Sequence, residues 1–227
     1  MEATRQDVTR TEAERSIRKA IIDACCWMNA TGLNQGTAGN ISVRHGEGFL
    51  VSPSATPYEQ MTPDMVAFVR LDAEDGTFEG PLAPSTEWRF HRDILRARPE
   101  LNAVLHAHPT YATALAMARK SIPPCHYMIA AFGGPDIRCA PYARYGTAEL
   151  SVHAVAALEG RMGCLLANHG MITAGETLES AKWFATELET LSRQYHLSLL
   201  IGGPVLLDHD QIDEAAAAMA DYGLKER

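Results

Sequence analysis

Apolar residues recur along the chain with two distinct periods. Ile17, Ile21, Ala24 and Met28 follow one another at spacings of four, three and four, which predicts an amphipathic helix that Gly32 ends. After a Gly-rich stretch, short apolar runs at 41–44, 49–52 and 66–71 lie between Gly and Pro turns and read as strands. Ser85 precedes a helical pattern through Trp88, Ile94 and Leu95 that stops before Pro99. Residues 103–108 read as a buried strand leading into a helix from Thr110, residues 147–158 as a helix and residues 163–167 as a strand. Thr177 then caps a long helix with Leu178, Ala181, Ala185, Leu188, Leu191 and Tyr195 on one stripe, and a last helix covers about 211–221. Strands and helices alternate irregularly, with hairpin-length links. The class is α/β with a mixed or largely antiparallel sheet, not a doubly wound one.

Composition narrows the setting. Of 227 residues, 46% are apolar and 21% charged, which suits a chain with a real core and excludes wholesale disorder. Asp and Glu outnumber Lys and Arg by 28 to 20 for a net charge of −8, so no electrostatic attraction to nucleic acid or an anionic membrane is expected. The cysteines Cys25, Cys26, Cys125, Cys139 and Cys164 are odd in number and form no C-x-x-C pair, which disfavours a disulfide scaffold and fits free thiols in a reducing compartment. The first 18 residues lack the apolar core of a signal peptide, and no apolar run approaches the roughly 18 residues of a membrane span. A soluble, cytoplasmic, single-domain protein is the expectation.

The candidate chemistry lies in histidines, one acid and two anion cradles. His106 and His108 stand two apart on a strand, so both imidazoles face one way and can share a cation about 2.0–2.1 Å from each nitrogen. His169 follows the apolar run Cys164-Leu165-Leu166-Ala167 and precedes Gly170, a strand end where a sharp turn would bring in a third ligand. The remaining histidines, His45, His91, His126, His153, His196 and His209, are scattered and read as solvated or hydrogen-bonded side chains. His126 stands apart because it adjoins Tyr127 in a Pro-rich loop. In Pro84-Ser85-Thr86-Glu87, Ser85 reads as a helix N-cap and Glu87 as a complement to the helix dipole. The same N–H groups and hydroxyls form an anion site that needs no lysine. Residues 36–40 offer further backbone N–H groups for phosphate oxygens, but match neither G-x-G-x-x-G nor the P-loop, so a nucleotide site is disfavoured.

Taken in order and spacing, Asn34-Gln35-Gly36-Thr37-Ala38-Gly39-Asn40-Ile41-Ser42, Ser85-Thr86-Glu87-Trp88-Arg89-Phe90-His91, His106-Ala107-His108 and Asn168-His169-Gly170 resemble the class II aldolase/epimerase family. With Ser121-Ile122-Pro123-Pro124-Cys125-His126-Tyr127-Met128-Ile129-Ala130-Ala131 and Tyr222-Gly223-Leu224, the likeness covers about 17–224. The resemblance implies a three-layer α/β/α sandwich around a mixed, largely antiparallel sheet. It implies one domain over 12–227 with a mobile C-terminal tail, preceded by a flexible extension at 1–11, and a four-fold homotetramer with sites between subunits. His106, His108 and His169 would hold a divalent metal, zinc first, with manganese or cobalt as alternatives. Glu87 would be the acid/base and would also touch the metal when no substrate is bound. Gly39, Asn40, Ser54, Ala55, Ser85 and Thr86 would form the phosphate pocket. Tyr127, from a neighbouring subunit, would handle the proton at the aldehyde end, and Tyr222 would close over the substrate.

The implied reaction is reversible cleavage of a ketose 1-phosphate into dihydroxyacetone phosphate and an aldehyde. L-fuculose 1-phosphate, 5-deoxyribulose 1-phosphate and 5-(methylthio)ribulose 1-phosphate all release that phosphate half. A ketose-phosphate 4-epimerase, a methylthioribulose-1-phosphate dehydratase and a non-catalytic interaction domain are the alternatives on the same fold. Stabilising the charge left by C–C cleavage takes either an imine on lysine or a metal acting as Lewis acid. The only lysines are Lys19, Lys120, Lys182 and Lys225, and none lies in an apolar strand where desolvation would lower its pKa, so the metal route is expected. Two positions depart from the family pattern: Ala55 replaces a Gly after the phosphate-binding hydroxyl, and Tyr145 replaces a Phe near the aldehyde end.

Overall fold

The computed structural model describes residues 12–222. The extension expected at 1–11 and the chain beyond 222 lie outside the described residues, as does the side chain of Tyr222. Eight strands form one sheet: β1 (Asn40–His45), β2 (Gly48–Val51), β3 (Ala67–Arg70), β4 (Phe78–Glu79), β5 (Ala103–Ala107), β6 (Cys139–Ala140), β7 (Gly163–Leu166) and β8 (Gly170–Gly175). Their spatial order is β4-β3-β2-β1-β5-β8-β7-β6. Every pairing is antiparallel except that of β6 with β7, so the sheet is mixed and largely antiparallel, as expected.

Alternation along the strands divides the core into two layers. Leu105 and Ala107 of β5 join one cluster with α1 (Glu12–Thr31), α3 (Thr110–Met117) and α5 (Leu178–Leu200), through Ile21, Met28, Leu115, Ala185 and Leu188. Val104, one residue out of phase, joins the opposite cluster with α2 (Trp88–Ala97) and α4 (Ala148–Ala157), through Phe90, Ile94, Leu150 and Ala154. Helices on both faces make the three-layer sandwich. Large apolar residues in these layers pack the sheet against its helices, and truncating one such as Leu105 to Ala costs about 2–5 kcal/mol. A final helix, α6 (His209–Tyr222), packs on the 3₁₀ segment Tyr127–Phe132.

The helix ends follow the sequence signals closely. α1 stops at Thr31, and Gly32 takes φ +76°, a left-handed turn that glycine enters without steric cost. Thr177 and Ser180 form a reciprocal capping box on α5. Two features depart from expectation. Ser85 is not the N-cap of α2: that position belongs to Glu87, whose side chain makes no capping bond, while the Ser85 hydroxyl accepts from the Glu87 N–H at 3.3 Å. The central strand β8 carries no period-two signal, because both its faces are buried.

Candidate active site

Register builds the site. Asn40 of β1 lies opposite His106 of β5, and His106 lies opposite Ile172 of β8, so Asn40 and His106 share the sheet face covered by α2. His108 follows the end of β5, and His169 sits in the tight connection from β7 to β8. The His106 and His108 rings lie 4.7 Å apart, His106 and His169 4.8 Å, and His108 and His169 5.0 Å. One ligand nitrogen from each falls within 4.8 Å of the others. Close packing enforces this approach: a Cβ on Gly170 would meet the His108 ring at 2.5 Å and the Ala107 carbonyl at 2.6 Å.

The donor set fits a divalent cation. His106 Nδ1 donates to the Met171 carbonyl at 2.8 Å, which leaves Nε2 as a lone pair aimed at the cluster. His108 Nε2 stands 2.9 Å from His106 Nε2. Burial holds the His106 and His169 pKa values down at about 3, and holds His108 down as well against the opposing pull of Glu87. All three rings are therefore neutral, the form that ligates metal. Glu87 spans the group, with Oε2 3.2 Å from His106 Nε2 and Oε1 3.3 Å from His169 Nε2. Burial raises its pKa, opposed by His169, the Asn40 amide and His108. Its Oε1 is buried and accepts no hydrogen bond. A buried acceptor left open costs about 1–3 kcal/mol, and here it faces the nitrogens that would surround a cation. The dipole-complementing role expected for Glu87 is thus corrected: its carboxylate turns from its own helix toward the histidines.

A cavity of about 410 Å³ opens over this group. Gly39, Asn40, Ser54, Ala55, Ser85, Thr86, Glu87, His108, Tyr145 and His169 all line it, while His106 is fully buried behind them. No Lys or Arg lines it among the described residues, so an anion there meets backbone N–H groups and hydroxyls. Lys19 and Lys182 instead pair on the surface with Asp23 and Glu179. Tyr127 is 55% exposed at the start of its 3₁₀ segment and stands outside the cavity. His126 accepts from the Met128 N–H and caps that segment.

Three features escaped the sequence reading. Asn168 lines the cavity at φ +55°, its Oδ1 accepting from Arg119 Nε at 3.0 Å and its N–H donating to the Ala116 carbonyl. The end of α3 thereby fixes the turn that carries His169. Tyr58, fully buried, donates to the Gly39 carbonyl at 2.6 Å and holds the Gly-rich stretch against the sheet. His91, placed with the scattered histidines, is fully buried between Ser42 and Asn40. A signal for it exists: Glu87 and His91 are i and i+4 on a helix, and Asn40 and Ser42 are i and i+2 on a strand, so each pair shares a face.

Residues 19–196 match the family described as class II aldolase and adducin N-terminal domain. A 5-methylthioribulose-1-phosphate/5-deoxyribulose-1-phosphate aldolase of Rhodospirillum rubrum is 47% identical, covering 92% of this chain and 93% of its own. An L-fuculose phosphate aldolase of Escherichia coli K12 is 45% identical over 92% and 96%. Among solved structures, an L-fuculose 1-phosphate aldolase superposes with a TM-score of 0.86 at 34% identity, covering 90% of this chain and 96% of its own. With a family model spanning most of the chain and relatives near half identity, the protein belongs to the class II aldolase and adducin N-terminal domain family.

Proposed function

We propose that the protein is a lyase, a class II aldolase that cleaves a ketose 1-phosphate reversibly into dihydroxyacetone phosphate and an aldehyde. The observation that carries this reading is the convergence of three neutral histidines on one buried carboxylate at the floor of a cavity free of lysine. The relatives named for 5-methylthioribulose-1-phosphate, 5-deoxyribulose-1-phosphate and L-fuculose phosphate support the substrate class. A divalent cation, zinc by its preference for three imidazoles, would be held by His106, His108 and His169 and would supply Lewis acidity at the ketose carbonyl.

The chain's own groups do the rest. Backbone N–H groups near Gly39, Asn40, Ser54 and Ala55, with the Ser85 and Thr86 hydroxyls, bind the phosphate and fix the sugar's orientation. As the C3–C4 bond breaks, its electron pair passes toward the C2 carbonyl, and Tyr127 of a second copy of the chain takes the C4 hydroxyl proton. Glu87 then delivers a proton to C3. Its raised pKa favours the protonated form that this delivery requires. Tyr145 lines the cavity and is the residue proposed to meet the aldehyde half; the contact proposed for Tyr222 lies outside the described residues. Exposed Leu200, Ile201 and Val205 at and just beyond the end of α5 support assembly of several copies, here a cytoplasmic homotetramer.

A coupled assay for dihydroxyacetone phosphate with L-fuculose 1-phosphate, 5-deoxyribulose 1-phosphate and 5-(methylthio)ribulose 1-phosphate, with and without chelator, tests the reading. Metal-dependent turnover of at least one substrate is expected, and inertness toward all three refutes the aldolase assignment. Their relative kcat/KM values identify the preferred sugar.

A further inference from the structure

We propose that His91 is a positioning residue: its Nε2–H tautomer fixes the Asn40 amide and, through it, the Glu87 carboxylate. The proposal rests on the aldolase reading of the same site. Four buried side chains form a single file. Ser42 Oγ lies 2.7 Å from His91 Nδ1, His91 Nε2 2.5 Å from Asn40 Oδ1, and Asn40 Nδ2 3.0 Å from Glu87 Oε2. Ser42 and His91 are fully buried, and Asn40 and Glu87 nearly so, so the file's inner contacts must be satisfied by its own members.

With Glu87 ionised, one proton arrangement satisfies all three. The carboxylate only accepts, so Asn40 must turn its N–H to Oε2 and its Oδ1 to His91. Oδ1 only accepts as well, so His91 carries its hydrogen on Nε2. Its bare Nδ1 then accepts from the Ser42 hydroxyl. Flipping the amide would set a carbonyl oxygen against a carboxylate oxygen and N–H against N–H. Phe90 stacks on the His91 ring at 4.7 Å and closes that side, and burial with His106 nearby keeps the ring neutral. The consequence at Glu87 is a division between its two oxygens. Oε2 has a fixed donor, while Oε1 has none and lies beside His169 Nε2 at 3.3 Å. Without the His91 donor, the Asn40 amide loses its preferred orientation and Glu87 loses the anchor that aims Oε1.

Two measurements judge this. In metal-loaded protein with ¹⁵N-labelled histidine, the His91 ring is expected to show a protonated Nε2 and an unprotonated Nδ1; the opposite tautomer overturns the proposal. Separately, His91→Asn keeps an acceptor near Ser42 but falls short of Asn40, whereas His91→Gln carries an N–H to the Nε2 position. His91→Asn is expected to lower kcat about 10- to 100-fold, the scale seen when a supporting partner in a metal site is removed, with KM and bound metal little changed. His91→Gln is expected to recover most of that loss at similar thermal stability. Equal kcat in the two variants, or loss of metal in both, overturns it as well. Absence of aldolase turnover in the unmodified enzyme refutes the aldolase reading instead, and the tautomer measurement still decides the hydrogen-bond file.

Discussion

A buried carboxylate and a half-buried one share one electrostatic signature in this fold and differ in what their oxygens meet. Glu87 and Glu189 both have pKa values raised by burial. Glu189, on α5, accepts the Tyr111 N–H at 2.9 Å through one oxygen and the Ala112 N–H at 2.8 Å through the other. It thus satisfies two of the orphan donors at the start of α3 and complements the positive end of that helix. Glu87 stands at a helix start too, yet makes no bond to that helix and keeps one buried oxygen without a donor. A raised pKa therefore marks burial, and an unsatisfied oxygen among neutral histidines marks chemistry. Backbone strain sorts the same way. Among the described residues, the non-glycine positions with positive φ are Ala55, Arg119 and Asn168; Ala55 and Asn168 line the cavity, and Arg119 holds Asn168. Strain concentrated at a site is what functional geometry stabilised by its surroundings produces.

The largest test of this contrast is removal of the divalent metal proposed for the histidine cluster. Exhaustive chelation is expected to abolish cleavage in the coupled assay, with recovery on adding a divalent cation. The melting temperature should fall too, since a ligand at 100 times its Kd stabilises the native state by about 2.7 kcal/mol. Next is Glu87→Gln, which should lower kcat by about 10²- to 10⁴-fold while metal analysis still finds the histidine-bound ion. Glu189→Gln should leave kcat per folded molecule unchanged, and a comparable loss there would erase the distinction between the two acids.

Smaller effects probe the buttress. Glu189→Ala leaves the Tyr111 and Ala112 N–H groups without partners and should cost about 1–3 kcal/mol in denaturant unfolding. Its pH dependence has a definite sign. A folded-state pKa raised above the unfolded value means the associated stability is fully present below the unfolded pKa and is lost as pH rises through the folded one. Melting curves across the acid range should show the unmodified protein losing ground to Glu189→Gln as pH rises; a gain would reverse the assignment. The smallest effect is expected at Ala55→Gly. Relief of about 1–2 kcal/mol of left-handed strain, offset by about 0.4–1 kcal/mol of glycine entropy, leaves a modest stabilisation measurable by denaturant midpoint.

Much of this was legible from residue spacing. The two-residue step from His106 to His108 and the apolar run before His169 place three imidazoles together, because strand alternation and a strand end are local properties. The apolar stripes on α1 and α5 predict two helices that pack on the sheet, here on the same face, and the capping of α5 follows from Thr177; the three-layer sandwich was implied by the family resemblance. Other features depend on partners distant in sequence. Glu87 looked like a helix-dipole residue because its helix is adjacent in sequence, whereas Asn40 and His106, which claim it, arrive through sheet register. The spacing puts His91 one turn after Glu87 and puts Asn40 and Ser42 on one strand face, but only long-range packing brings the two pairs together. β8 was silent because a strand buried on both faces has no alternation to display. Tyr127 stands differently: it faces solvent outside the cavity, and the role proposed for it requires a second copy of the chain.

The pairing of β5 with β8 has a consequence for the order in which the protein comes into being. His106 is tied to the Met171 carbonyl, 65 residues further along the chain. A nascent polypeptide that has emerged only through α3 already displays two of the three clustered imidazoles, His106 and His108, but neither the third nor the strand that sets the tautomer of the first. If the three histidines hold an ion as proposed, its tight capture must wait for this long-range closure late in synthesis, and a ribosome-bound fragment ending before His169 would lack one of the three nitrogens.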